Sequence, residues 1–195
     1  MNKRELLDDL LNRYVLFSCE EGAESIIVKR LVESDRLVVP WKRIVEDPLM
    51  FEPYTRCRKA DDIAQRFFGM DFAVDGAAGL AVARIVDSRA GKFSFSKKWE
   101  NGTKMLNFYT RPEIEMLVIQ REVAADELTR AHRRNRQLRP KEFCKQYLKM
   151  PNIEAVSFLE GYWADSNSVV ESCKLYEKSL GKRQSDELCI ADLVA

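Results

Sequence analysis

The chain has 195 residues, enough for one domain or a domain with an appendage, and can bury roughly two-thirds of its unfolded surface. Hydrophobic residues make up 46% and charged residues 32%, and no apolar run approaches the roughly 20 residues that cross a bilayer, so a soluble protein is expected. A formal net charge of +1 excludes a global attraction to polyanions, though a local basic patch can still exist.

The opening segment, MNKRELLDDLLNR, mixes acids into its apolar pattern. It therefore reads as neither a signal nor a transit peptide, and a cytoplasmic location is the default expectation. Leu6, Leu7, Leu10 and Leu11 recur at helical spacing and predict a short helix ending near Arg13. The apolar run 14–18 has strand length. Residues 23–34, apolar at 26, 27, 28, 31 and 32, predict a helix with one broad buried face. Leu37, Val38 and Val39 read as a second buried strand closed by Pro40, and 41–58 as a long connection. A helix over 60–68 should stop at Gly69.

The segment LAVARIV, 80–86, is the clearest strand: it is apolar almost throughout, as strands covered on both faces are. From Pro112 onward the pattern is helical, over 112–121, 126–136, 140–149 and 165–180, with Pro112 and Pro140 suited to a first turn. The residues after Lys182 read as a frayed end. This order predicts a layered α/β domain with a mostly parallel central sheet over 1–125, and a C-terminal helical extension, 126–195, packed on it.

No GxxxxGK[ST] loop, GxGxxG, GxSxG or HExxH is present, and the five cysteines (Cys19, Cys57, Cys144, Cys173, Cys189) form no CxxC pair. They read as reduced, buried thiols. What remains is carboxylate chemistry. Glu20 and Glu21 follow the first strand, Asp87 follows LAVARIV, and Glu113 and Glu115 open an apolar helix. In a parallel sheet the carboxyl ends of the strands share one edge, where ligands bind, so Glu20 and Asp87 should converge. Such a cluster suits a hard cation such as Mg²⁺. Glu21, Glu24 and Glu113 have a plainer reading as first-turn acids opposing the helix dipole.

The segment SCEEGAES, a strand ending in C-E-x-G-x-E before a helix, resembles the Toprim domain of primases, topoisomerases and OLD-type nucleases. It is closest in motif to the small RloB-type Toprim-like proteins. The resemblance places the family glutamate on Glu20 and a second acid on Glu24. TRPEIEML is similar to the family's later acidic segment and places that acid on Glu115, while ARIVDSRAGKF aligns with the strand that ends in D-x-D. Here that pair reads Asp87-Ser88-Arg89, and Glu21 stands where the motif has glycine.

The resemblance spans about residues 14–122. It implies a Rossmann-like layered fold and a metal-dependent nuclease or related phosphodiester-processing hydrolase, with Mg²⁺ or Mn²⁺ held by Glu20, Asp87 and Glu115, in a bacterial or phage defence setting. The alternative is a Toprim-like module that no longer catalyses and binds nucleic acid or a protein partner. A third reading is a metal-free structural or regulatory protein.

Two basic segments suit a phosphate-bearing substrate. YTRCRK supplies Arg56 and Arg58; RAHRRNRQLRPK supplies Arg130, Arg133, Arg134 and Arg136 at spacings that form a stripe on a helix. Arg89 and Lys92 are the expected phosphate-neutralising residues beside Asp87. His132 reads as a surface residue among the arginines. Phe93, Phe95, Trp99, Phe108 and Tyr109 either stack bases or pack the core, with packing expected. Tyr162 and Trp163 read as packing of the terminal helices.

Overall fold

The structure, a computed structural model, describes residues 2–19, 22–86, 93–97, 102–181 and 183–195. Helix α1 (Lys3–Leu11) starts at a reciprocal cap in which Asn2 Oδ1 accepts from the Glu5 amide and the Glu5 carboxylate accepts from the Asn2 amide. Strand β1 (Tyr14–Cys19) follows, then α2 (Gly22–Glu33), β2 (Tyr54–Thr55), α3 (Ala60–Phe67) and β3 (Leu80–Val86). The second half contains β4 (Thr103–Tyr109), α4 (Met116–Arg121), α5 (Ala125–Arg134), α6 (Pro140–Gln146), α7 (Val156–Tyr162), α8 (Ser166–Ser179) and β5 (Leu188–Cys189).

The five described strands form one sheet in the order β2-β1-β3-β4-β5, and every pairing is parallel. This is a Rossmann-like layered α/β fold with helices on both faces. On one face Val15, Phe17, Ala83, Ile85 and Phe108 pack with α2, α4 and α8; on the other, Leu16, Leu80 and Val82 pack with Ile63 and Phe67 of α3. Each fully buried phenylalanine, such as Phe17, contributes about 1.5–3 kcal/mol by leaving water. Burial on both faces explains why β3 is apolar throughout. Among the described residues no helix is long and apolar enough to cross a membrane.

Five expectations change. The run Leu37–Val39 is not a sheet strand: Leu37 makes one antiparallel bridge to Val194, and the Val38 amide bonds the Leu193 carbonyl. The strand beside β1 is Tyr54–Thr55, inside the expected connection, because it is this backbone that reaches the free edge of β1. Thr103–Tyr109, where patterning predicts no element, pairs with β3 along its whole length. Its Lys104 and Asn107 interrupt the apolar pattern that marks the other inner strands.

At the C-terminus the expected frayed end is instead β5 and a buried 3₁₀ turn, Ile190–Leu193. The buried Asp192 carboxylate fastens it, accepting from the Cys189 amide (2.8 Å) and Arg183 (2.9 Å) and pairing with Lys3. The segment 126–195 thus supplies a sheet strand as well as helices. Finally, Pro112 follows a cis peptide bond and lies ahead of α4 rather than in its first turn.

Candidate functional site

With the order 2-1-3-4-5, the chain leaves β1 for β2 on one side and then crosses to β3 on the other. The crevice at the carboxyl ends of β1 and β3 is therefore the topological switch point, where open α/β sheets bind ligands. The two strands stay in register to the end of β1, Ser18 opposite Arg84 and Cys19 opposite Ile85, and β3 runs one residue further to Val86.

Burial pushes the Cys19 thiol well above its ordinary range; the nearby Glu24 charge adds to this and Arg56 opposes it. Glu24, in the first turn of α2, is itself buried, so it is more than a solvated dipole partner. Arg56 directly follows β2, and both Arg56 and Arg58 are exposed.

The β4–α4 connection brings two acids to the same end of the sheet. Glu115, just ahead of α4, is 7% exposed and borders the first turn of α2 at Ala23. Glu113 is also buried, but its carboxylate pairs with Arg139 and accepts from the Lys141 amide at 3.1 Å. It therefore ties the β4–α4 connection to the α5–α6 connection, a role its sequence position did not reveal. The Lys141 ammonium is held above its ordinary range by its hydrogen bond to Glu154, against desolvation, with the charges of Glu115 and Glu113 adding to it. Desolvation, followed by Glu115 and Glu113, pushes the Cys144 thiol up to about 12.

Arg130, Arg133 and Arg134 stand exposed on α5, and Arg136 follows. Among the described residues none of the four is in an ion pair. The Glu113–Arg139 tie links this basic stretch to the carboxyl edge. His132 is half-buried rather than a surface residue, its Nε2 lying 2.5 Å from the Leu138 carbonyl oxygen across the turn.

Of the expected site residues, Glu20, Asp87, Arg89 and Lys92 lie outside the described residues, as do Glu21, Ser88 and Trp99. Phe95 and Phe108 are buried, and Phe95 packs against Phe68 and Phe93 at centroid distances of 5.0 and 5.6 Å. Tyr162 and Trp163 are engaged by the Arg121 guanidinium at 4.3 and 5.1 Å.

Two further buried charges stand near this end. Arg84, 3% exposed on β3, lies 4.1 Å over the Phe93 ring. Its sequence signal was visible: one arginine within an otherwise apolar strand. Asp47, fully buried before β2, pairs with Arg66 of α3 at 2.6 Å.

The donor chemistry of Glu20, Asp87 and Glu115 fits a hard divalent cation, which takes carboxylate oxygens, and Glu115 is a buried carboxylate at the right edge. Among the described residues no group of three histidine, cysteine or acidic side chains could hold a metal ion. Comparison of the chain with protein-family models, curated proteins and solved structures yields no match.

Proposed function

We propose that this protein is a Toprim-like, Mg²⁺- or Mn²⁺-dependent enzyme that cleaves or otherwise processes phosphodiesters of nucleic acid. The observation that carries the reading is the paired ending of β1 and β3 at the switch point. Glu20 is bonded to Cys19, which ends β1, and Asp87 to Val86, which ends β3. Residues adjacent in the chain have Cα atoms about 3.8 Å apart, which supports assigning both acids to one edge. The buried Glu115 joins them as the third acid.

In this reading Glu20, Asp87 and Glu115 hold the cation, and Glu20 also exchanges a proton with the attacking or leaving oxygen. When bound, the cation polarises the phosphoryl oxygen and stabilises the leaving oxygen. Arg89 and Lys92 neutralise the phosphate, and Arg56 with the α5 arginines holds the flanking backbone. A defence setting remains part of the proposal through the motif resemblance alone.

The test is cleavage of labelled single- and double-stranded DNA and RNA, with magnesium or with EDTA, by the parent, Glu20→Gln and Asp87→Asn. Magnesium-dependent cleavage lost in both variants is expected. Cleavage by either variant at the parent's rate overturns the catalytic assignment. The second reading, a module that binds without catalysis, is favoured by Arg89 standing where the motif has its second aspartate. It predicts nucleic-acid binding with no magnesium-dependent rise in Tm.

A further inference from the structure

The turn before β2 holds two large apolar side chains in water. Leu49 is 70% exposed and Phe51 is 82% exposed. Phe51 also has φ 55°, a region in which glycine or asparagine sits at little cost and a bulky residue is a true outlier. The turn is nevertheless tightly fastened. The Asp47 amide donates to the Glu52 carbonyl at 2.9 Å, and the Phe51 amide donates to the Asp47 carbonyl at 2.8 Å. Asp47 Oδ1 accepts from the Leu49 amide at 2.9 Å, while Oδ2 accepts from Arg66. A large ring presented to solvent from a strained backbone, on a turn fastened by the buried Asp47 carboxylate, is better explained by what the ring touches than by folding.

Beside this turn, toward α3, lies a cavity of about 580 Å³, within the roughly 300–1,000 Å³ typical of small-ligand sites. Leu49 and Met50 form an apolar wall, Asp62 and Gln65 offer hydrogen-bonding groups, and Arg56 supplies a cation. Arg56 is exposed and, among the described residues, in no ion pair. It also lines a second cavity of about 250 Å³ on the α2 side. Because Tyr54–Thr55 pairs with Phe17–Ser18, Arg56 follows directly at the sheet edge to which Glu20 is assigned.

We infer that this turn and cavity form a subsite for an unpaired nucleotide of a single-stranded nucleic acid, with Phe51 stacking on the base and Arg56 contacting its phosphate. An apolar wall, edge-reading polar groups and the Arg56 guanidinium, beside an Arg66 already engaged by Asp47, match the parts of a nucleotide in turn. A ring standing free in solvent can stack only on a base whose face is not already covered in a duplex. The inference rests on the proposed action on nucleic acid and specifies its substrate as unpaired beside the reacting phosphate.

The experiment is fluorescence anisotropy with a labelled 12-nucleotide DNA or RNA, single-stranded and as a duplex, with calcium replacing magnesium. The proteins are the parent, Phe51→Ala, Phe51→Trp and Phe51→Gly. Phe51→Ala and Phe51→Gly should weaken single-strand binding about 5- to 150-fold, as expected for losing one stacked base, and leave duplex binding unchanged. Phe51→Trp should restore it. Since Phe51→Gly also removes the backbone strain, it controls for misfolding.

Equal single-strand binding by Phe51→Ala and the parent overturns the subsite, as does an equal loss for duplex and single strand. If cleavage still depends on Glu20 in that case, only this inference falls. A parent that binds no nucleic acid overturns both readings. A parent dimer converted to monomer by Phe51→Ala in sedimentation would assign the turn to self-association and overturn the subsite.

Discussion

Removing the Asp47 carboxylate should loosen the turn before β2 and lower stability in a pH-dependent way. The side chain is fully buried and accepts from Arg66 at 2.6 Å and from the Leu49 and Met50 amides at 2.9 and 3.3 Å. Hydrogen bonds to a charged group contribute about 1.5–3 kcal/mol each when their partners stay buried. Arg66 is 29% exposed and the turn faces water, so each freed donor is partly rehydrated and the sum must be discounted. About 2–4 kcal/mol remains for Asp47→Ala, or a Tm lower by about 5–15 °C in a chain of this size.

Burial raises the Asp47 pKa, but hydrogen bonds from Thr55, Leu49 and Arg66 outweigh it and the net shift is downward. A depressed folded-state pKa stabilises the fold above the ordinary value of 3.8, and that contribution is lost as pH falls below it. The gap in Tm between the parent and Asp47→Asn should therefore hold near neutrality and narrow in acid. Thermal melts from pH 3 to 8 followed by circular dichroism measure both effects. An Asp47→Ala protein melting within about 2 °C of the parent at pH 7 refutes the reasoning.

Three other outcomes are expected. All five cysteines are free and buried, and burial raises the Cys19, Cys144, Cys173 and Cys189 thiols, so a thiol-reactive dye at pH 7.5 should label the native protein slowly and the urea-unfolded protein fully; rapid native labelling would contradict that packing. Arg84→Ala should cost about 2–4 kcal/mol in urea unfolding, because it empties a buried site beneath Phe93, and Arg84→Met should recover part of the loss by restoring volume. If the α5 arginines contact phosphates, Arg133→Ala and Arg134→Ala should each reduce the slope of log K against log salt by about 1; an unchanged slope removes them from the interface.

Much of the layered fold was legible because its signals are local. The run 80–86 reads as a doubly covered strand since burying both faces demands apolar residues at every position. The leucines of α1 and the apolar face of α2 show the helical period directly, and Asp165 caps α8 within three residues of its own position. Tyr54–Thr55 and Leu188–Cys189 carry no such signal. Each is two residues long and becomes a strand only because β1 or β4 offers it an edge.

The candidate site divides the same way. That acids follow strands at Cys19 and Val86, and that arginines form a stripe on α5, could be read from spacing along the chain. That β1 and β3 are parallel neighbours, with the switch point at their carboxyl ends, is decided by the strand order. The engagement of Glu113 by Arg139, residues far apart in sequence, likewise depends on how α5 and α6 pack. Sequence period determines which face of an element must be buried. Which elements meet, and so which charges share an edge, is decided by long-range packing.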